Sequence, residues 1–187
     1  MSVAETVLAG LWLMLPALVP NSAAVLWGGG TPMDFGRSWR GRRILGDGKT
    51  WRGFFGGSLT GALVGIIILS LSEVLGAQST WGYGGWPESL VTPFALAFGS
   101  LSGDAVGSFV KRRLGVERGA RAPVLDQYNF VVGAVLLALL TRPGWFFQHY
   151  VTGYGWVALL VFLAIVPLLH RGVNIIGYKM GKKDVPW

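Results

Sequence analysis

The sequence predicts an all-α, polytopic integral membrane protein, and three observations carry that expectation. Hydrophobic residues make up 52% of the 187 positions and charged residues only 13%, a balance expected of a bundle of membrane helices rather than of a soluble domain. Five apolar runs, at about 3–27, 54–75, 89–110, 124–141 and 155–177, are each long enough to span a hydrocarbon core, which takes roughly 20 residues of helix. Of the 16 Lys and Arg residues, all but Arg142 fall on one side of such a bundle. The positive-inside rule makes that side cytoplasmic, with the N-terminus outside, the C-terminus in the cytoplasm, and cytoplasmic loops at 28–53 and 111–123. No internal repeat is apparent, so residues 1–187 are read as one domain.

The first run opens with Glu5 rather than a basic cluster and is too long for the apolar part of a signal peptide, so it is expected to stay as a helix. Pro16 and Pro20 each remove a backbone donor, which predicts a kink or break in its inner half. Asn21 is thereby left near the cytoplasmic side, to bond a freed carbonyl or to reach into a site. In the 28–53 loop, GDGKT at 46–50 invites comparison with a phosphate-binding P-loop, but that motif needs glycine where this chain has Arg43. What survives is a glycine-rich turn followed by Lys49, Thr50 and Arg52 at a helix start, where free N–H groups and the dipole favour phosphate. Arg37 to Arg43 read equally well as cations snorkelling to lipid headgroups.

The second run carries Gly57, Gly61 and Gly65 at four-residue spacing, a packing strip rather than a chemical one. The outer segments WGYGGW, with Trp81, Tyr83 and Trp86, and GWFFQHY, with Trp145 and Tyr150, read as interfacial aromatic belts, and His149 as an exposed bystander. The last run brings Pro167, His170, Arg171 and Asn174 toward its cytoplasmic end, where Arg171 and Asn174 read equally well as contacts to a headgroup phosphate or as polar groups snorkelling to the interface.

The stretch from Phe98 to Phe130 carries the chemistry. Asp104 stands alone among apolar residues, on one helical face with Ser100, Ser108 and Lys111, while Gly99, Gly103 and Gly107 form an adjacent strip that a second helix can approach closely. An ionisable residue in a membrane segment costs roughly 2.5–3.5 kcal/mol at helix centre, so it faces the bundle interior and marks function by default. The plainer reading ties Asp104 to Lys111 or Arg112 as an interhelical bridge. Lys111, Arg112, Arg113, Arg118 and Arg121 follow, and Asp126 opens the next apolar run.

Two carboxylates among cations are the parts needed to hold Mg²⁺ against a polyphosphate, since Mg²⁺ uses one or two carboxylates plus substrate oxygens. Displacement at phosphorus then asks mainly for positioning and charge neutralisation. A phosphate monoester nucleophile, with a second pKa of about 6, needs no general base. That suits a chain with no cysteine, hence no thiolate zinc site or cysteine nucleophile, and with two histidines. The net charge of +7 lies beside membrane segments, so no nucleic-acid partner is expected.

These residues resemble the CTP-dependent cytidylyltransferases that make CDP-lipids, whose signature is a GD followed by serine, a KR pair, a further basic residue and a late Asp. The short five-helix form, with PAxxxN (Pro16 to Asn21), GDGKTxRG (Gly46 to Gly53), KRRxGxxRGxxxPxLDQ (Lys111 to Gln127) and GYKxGxKDVPW (Gly177 to Trp187), looks like the archaeal CDP-archaeol synthases. Bacterial phosphatidate cytidylyltransferases, which act on acyl lipids, are longer and carry PGHGG before a late DR where this chain has RAPVLDQ. The resemblance implies that CTP and an isoprenoid ether-lipid phosphate give CDP-lipid and pyrophosphate at the cytoplasmic face of the cell membrane, with Mg²⁺. It implies that Asp104 and Asp126 hold the metal with Gln127 beside it, that Lys111 and Arg112 contact phosphates, and that Lys49, Arg52 and Arg118 assist. Asp47 and Thr50 are candidates for reading cytosine, and Asn21, Ser100 and Ser108 complete the expected substrate-binding set.

Two other readings fit less well. CDP-alcohol phosphatidyltransferases need a DGxxAR…GxxxDxxxD pattern that this chain lacks. A small transporter using Asp104 as a midplane site would show inverted halves, whereas here the charges crowd one side.

Overall fold

The computed structural model describes residues 1–116, 120 and 122–181; Arg118, Arg121 and the end of the C-terminal motif lie outside the described residues. The helices are α1 (Val3–Leu13), α2 (Leu15–Trp27), α3 (Trp51–Val74), α4 (Gln78–Trp81), α5 (Val91–Arg113), α6 (Pro123–Thr141), α7 (Pro143–Tyr150) and α8 (Gly155–Lys179). Five stretches, Val3–Trp27, Trp51–Val74, Glu88–Arg113, Pro123–Thr141 and Gly155–Lys179, are long and apolar enough to cross a membrane. They correspond to the five apolar runs of the sequence. α3 begins at Trp51 rather than at 54, because the Thr50 hydroxyl accepts the Gly53 N–H and caps the helix there.

The first run breaks, but at Met14 rather than within its inner half. Pro16 is tolerated in the first turn of a new helix, where its missing N–H would have had no partner, so the chain restarts just ahead of it. In an unbroken helix the carbonyls of Gly10 and Leu13 would accept from Met14 and Ala17. Here Met14 N–H turns to Trp12 and Ala17 N–H to Met14. Two phenols replace them: Tyr150 donates to Gly10 O at 2.7 Å and Tyr83 to Leu13 O at 3.2 Å.

This corrects the aromatic belts. Tyr83 and Tyr150 are fully buried and Trp145 nearly so, whereas Trp86 is 66% exposed. A break inside an apolar environment leaves carbonyls that water cannot reach, and the tyrosines are drawn inward to satisfy them. Burial pushes both phenols above their ordinary pKa, keeping them protonated as donors. His149 is likewise no bystander. It is half-buried, with its ring centroid 5.2 Å from that of Trp145 and Nδ1 2.9 Å from the Trp145 carbonyl, and burial pulls its pKa down.

Both glycine strips are filled by a neighbouring helix. A Cβ on Gly61 would lie 2.8 Å from the Pro16 carbonyl oxygen and one on Gly65 2.9 Å from the Pro16 ring, so α3 takes the prolines of α2 where side chains would collide. On α5 the partner is α6, where a Cβ on Gly133 would sit 2.6 Å from the Gly103 Cα. In lipid, where apolar burial drives little helix association, this close backbone approach is what packs two helices. α8 packs through its N-terminal half, where Ala158, Phe162 and Val166 are fully buried. Beyond Pro167 its one buried residue is Asn174. The carbonyl that Pro167 leaves free, on Leu163, accepts the Tyr128 hydroxyl at 3.2 Å.

The 28–53 loop is not irregular throughout. It holds the hairpin β1 (Ser38–Trp39) and β2 (Arg42–Arg43), paired Ser38 to Arg43 and Trp39 to Arg42, the non-helical element that an all-α expectation did not include.

Candidate active site

The loop is organised by a carboxylate that the sequence did not single out. Asp34, with its side chain fully buried, accepts Gly36 N–H at 3.1 Å, Leu45 N–H at 2.9 Å and Gly46 N–H at 3.0 Å. Arg43 completes the set with Nη2 at 2.8 Å and Nε at 3.3 Å. Burial alone would raise this carboxyl, but the Arg43 guanidinium and the three backbone donors outweigh it and hold its pKa well below the usual carboxylate range. Because Gly46 is fixed, the turn closed by Lys49 N–H on Gly46 O is fixed too, and Met33 N–H holds the Lys49 carbonyl at 2.8 Å.

The hairpin is clamped to the end of α5. Arg113 donates to the carbonyls of Trp39, Arg42 and Arg43 at 2.6, 3.1 and 2.8 Å, and its guanidinium lies 5.2 Å from the Trp39 ring centroid. Arg42 answers by donating to the Arg113 carbonyl at 3.1 Å. Several of the arginines expected to meet headgroups or phosphate are therefore occupied in assembling the loop.

That assembly delivers Lys49 to Asp104, and the two side chains form an ion pair across 55 positions of sequence. The plainer reading of Asp104 had the bridge right and the partner wrong, because Lys111 pairs instead with Asp126 at 2.6 Å. Asp126 also accepts Ala122 N–H at 2.9 Å, and Asn129 lies 3.4 Å from Asp104. Asp104 from α5 and Asp126 from α6 both line a cavity of about 930 Å³, together with Asn21, Asp47, Lys49 and Thr50. Its remaining wall is largely apolar, from Leu15, Leu18 and Val19 of α2 to Phe130 of α6 and Val166, Leu169 and Val173 of α8.

Other expected residues lie off this cavity. Ser100 is buried behind it, donating to Ala17 O at 2.8 Å and lying 3.5 Å from Asn21. Ser108 is buried on the same helix, Arg112 donates to the Val116 carbonyl at 2.7 Å, Gln127 is half-buried and Arg52 exposed. Within the cavity lining, Asp47 is held by Arg43 at 2.6 Å, and the Thr50 hydroxyl serves the helix cap. From α8 the cavity gains His170 and Asn174, 3.2 Å apart, while Arg171 is exposed.

Among the described residues no group of three His, Asp or Glu side chains is arranged to hold a metal. Two carboxylates sharing a cavity, each beside a lysine, still match the donor chemistry of Mg²⁺, which completes its shell from waters and phosphate oxygens.

The family described as "CarS-like: CDP-archaeol synthase" matches residues 3–187. This chain belongs to the CDP-archaeol synthase family. It is 50% identical over 175 residues to the CDP-archaeol synthase of Methanospirillum hungatei, covering 93% of this chain and all of that one. With the CDP-archaeol synthase of Pyrococcus horikoshii the identity is 46% over 183 residues, covering 96% of each chain. A solved structure described as an intramembrane enzyme for archaeal membrane lipid biosynthesis superposes with a TM-score of 0.68 at 36% identity, covering 90% of this chain and 94% of that one. The fold and the membrane setting thus agree with those of that intramembrane enzyme, and the chain is a multi-pass membrane protein.

Two residues that support the site from outside the cavity lining escaped the sequence reading. Asn129 gave no signal beyond lying three residues after Asp126 on a helix. Asp34 lies in a loop where a single carboxylate is unremarkable; Gly36, Arg43, Leu45 and Gly46, which supply its donors, are recognisable as such only once folded.

Proposed function

We propose that this chain transfers the cytidylyl group of CTP to an isoprenoid ether-lipid phosphate, giving a CDP-archaeol-type lipid and pyrophosphate. The observation that carries this reading is the cavity itself: two carboxylates from adjacent membrane helices, each matched with a lysine, meet at a space whose remaining wall is largely apolar. A polyphosphate and a lipid tail need those two surfaces together. The bilayer arrangement that goes with it has five membrane spans, the N-terminus outside, and the 28–53 and 111–123 loops with the charged residues in the cytoplasm, where CTP is found.

The lipid phosphate oxygen attacks the α-phosphorus of CTP, forming the new P–O–P bond. The bond from the α-phosphorus to the bridging oxygen breaks, and the electron pair leaves with pyrophosphate. The nucleophile is already an anion at neutral pH, so no proton need be removed from it. Asp104 and Asp126 would hold Mg²⁺, which when bound neutralises phosphate charge. Lys49 and Lys111 balance the two carboxylates in the structure described here and stand one side-chain swing from incoming phosphate oxygens, so cationic charge is in place before the substrate arrives. Asn174 and His170 belong to the α8 part of the same cavity wall.

The test is incubation of purified protein with radiolabelled CTP, Mg²⁺ and either an ether-linked isoprenoid or an ester-linked acyl lipid phosphate. The expected result is pyrophosphate release and labelled CDP-lipid that favours the ether substrate. Preference for the acyl substrate would replace the lipid assignment, and lack of product with both would overturn the reaction.

A further inference from the structure

The contact between α5 and α6 has a feature that simple packing does not require. Gly103 and Gly107 occupy one strip of α5, and the space that side chains would fill there is taken by Asn129 of α6: a Cβ on Gly107 would lie 2.7 Å from the Asn129 Cβ and 2.8 Å from its Cγ. The notch therefore admits one polar side chain at a close glycine contact between the two helices. The Asn129 amide is also turned in a defined sense. Its oxygen accepts the Phe130 N–H at 2.6 Å, which leaves the NH₂ end facing Asp104 Oδ1 at 3.4 Å. Reversing the amide would set its oxygen against a carboxylate, so only this orientation is favourable. Asn129 follows Asp126 by three residues, which places both on one face of α6.

From this we infer that Asn129 is a positioning residue: keyed into the Gly103–Gly107 notch, it sets α6 against α5 and orients the Asp104 carboxylate, so that Asp104 and Asp126 present oxygens to one divalent cation. The inference rests on the metal reading given above. The lysines cannot perform this task, because they are flexible and neutralise charge without fixing the plane of a carboxylate. The amide is short, held at one end by backbone, and confined by the glycines, so it transmits the helix register to the ligand.

The experiment is equilibrium binding of radiolabelled CTP to detergent-purified protein as Mg²⁺ is varied, alongside thermal unfolding. Wild type should bind CTP more tightly as Mg²⁺ rises. Asn129→Leu keeps the approximate volume and removes the donor; it should need roughly 10-fold more Mg²⁺ for half-maximal binding, the lower end expected for losing a hydrogen bond to a charged group, with unfolding close to wild type. Gly107→Ala should give the same shift by expelling the Asn129 amide. If Asn129→Leu does not fold, Asn129→Ala is read in the same way. An unchanged Mg²⁺ dependence in a folded variant overturns the inference. So does weaker CTP binding by an equal factor at all Mg²⁺ concentrations with a lowered unfolding temperature, which would mark a merely structural asparagine. Mg²⁺-independent binding in wild type would instead overturn the metal reading beneath it.

Discussion

Asp34 in the loop and the pair Asp104 and Asp126 at the cavity are all carboxylates beside a basic residue, yet they are built for opposite ends. Asp34 receives five donors on two oxygens, three of them backbone N–H groups. An ionised carboxylate has about four lone-pair positions, so nothing is left for a ligand. Asp104 receives one lysine and a long contact from Asn129; Asp126 receives one lysine and one backbone N–H. Their charged partners are long, mobile side chains that can be exchanged for a cation or a phosphate. A carboxylate saturated by backbone is a joint, and one balanced by lysines is a site. The two are coupled, because the joint fixes Gly46, and with it the turn that delivers Lys49 to Asp104.

The largest effect should come from removing a site carboxylate. Asp104→Asn and Asp126→Asn are each expected to lower CDP-lipid formation by roughly 10²–10³-fold, the range for losing one preorganised electrostatic group, while the detergent-purified protein stays monodisperse. Near-wild-type turnover in a folded variant would place that residue with Asp34, among the joints.

Asp34→Ala should fail in the other way. It strands three backbone donors and the Arg43 guanidinium, and because Arg43 is partly exposed the expected loss is roughly 2–4 kcal/mol of local stability. Limited proteolysis should then cut within residues 34–46 far faster than in wild type, and activity should recover on cooling or at high CTP. A protease-resistant loop with turnover lost at all CTP concentrations would instead make Asp34 part of the site. The same carboxyl gives a pH test. Its folded pKa lies below the unfolded value of about 3.9, so its contribution is complete above about pH 4 and is lost only as pH falls through the lower folded value. Loop protection should be level from pH 7 to 5; a fall within that window would show that some other group holds the loop.

Between these cases stands Lys49, whose backbone belongs to the joint and whose ammonium belongs to the site. Lys49→Ala should leave the loop protease-resistant and raise the Michaelis constant for CTP about 10- to 100-fold, as expected for one charge-assisted phosphate contact. Unchanged CTP dependence would confine Lys49 to balancing Asp104.

Much of this was legible in the sequence, and the boundary has a physical cause. Spans, glycine strips and an isolated Asp104 are local patterns, readable because lipid imposes length, composition and close packing on each helix separately. Partner choice is not local: Lys49 and Lys111 stand in equivalent basic clusters, and which one takes Asp104 depends on how the loop folds back. The hairpin was hidden for a related reason. Its turn places Arg40 and Gly41 at positive φ, 52° and 74°, where the usual sequence signal is Asn-Gly. Arg112 illustrates the converse, a motif residue that also holds the local chain by donating to the Val116 carbonyl.

The smallest effect should come from the far end of the molecule, where polar groups serve the fold alone. Tyr83 lies 70 positions from Leu13, whose carbonyl it caps, and it is buried against Trp145 with ring centroids 5.6 Å apart. Tyr83→Phe keeps the ring and deletes the donor, leaving a buried carbonyl with one partner fewer; the expected cost is about 1 kcal/mol, seen as a drop of a few degrees in unfolding temperature. Turnover and CTP dependence should be unchanged, because Tyr83 does not line the cavity that holds Asp104 and Asp126. A loss of activity with stability intact would mean that the break at Met14 is mechanically linked to the cavity through α2, whose Leu15, Leu18 and Asn21 form its wall, and the division between joint and site would then extend through the whole bundle.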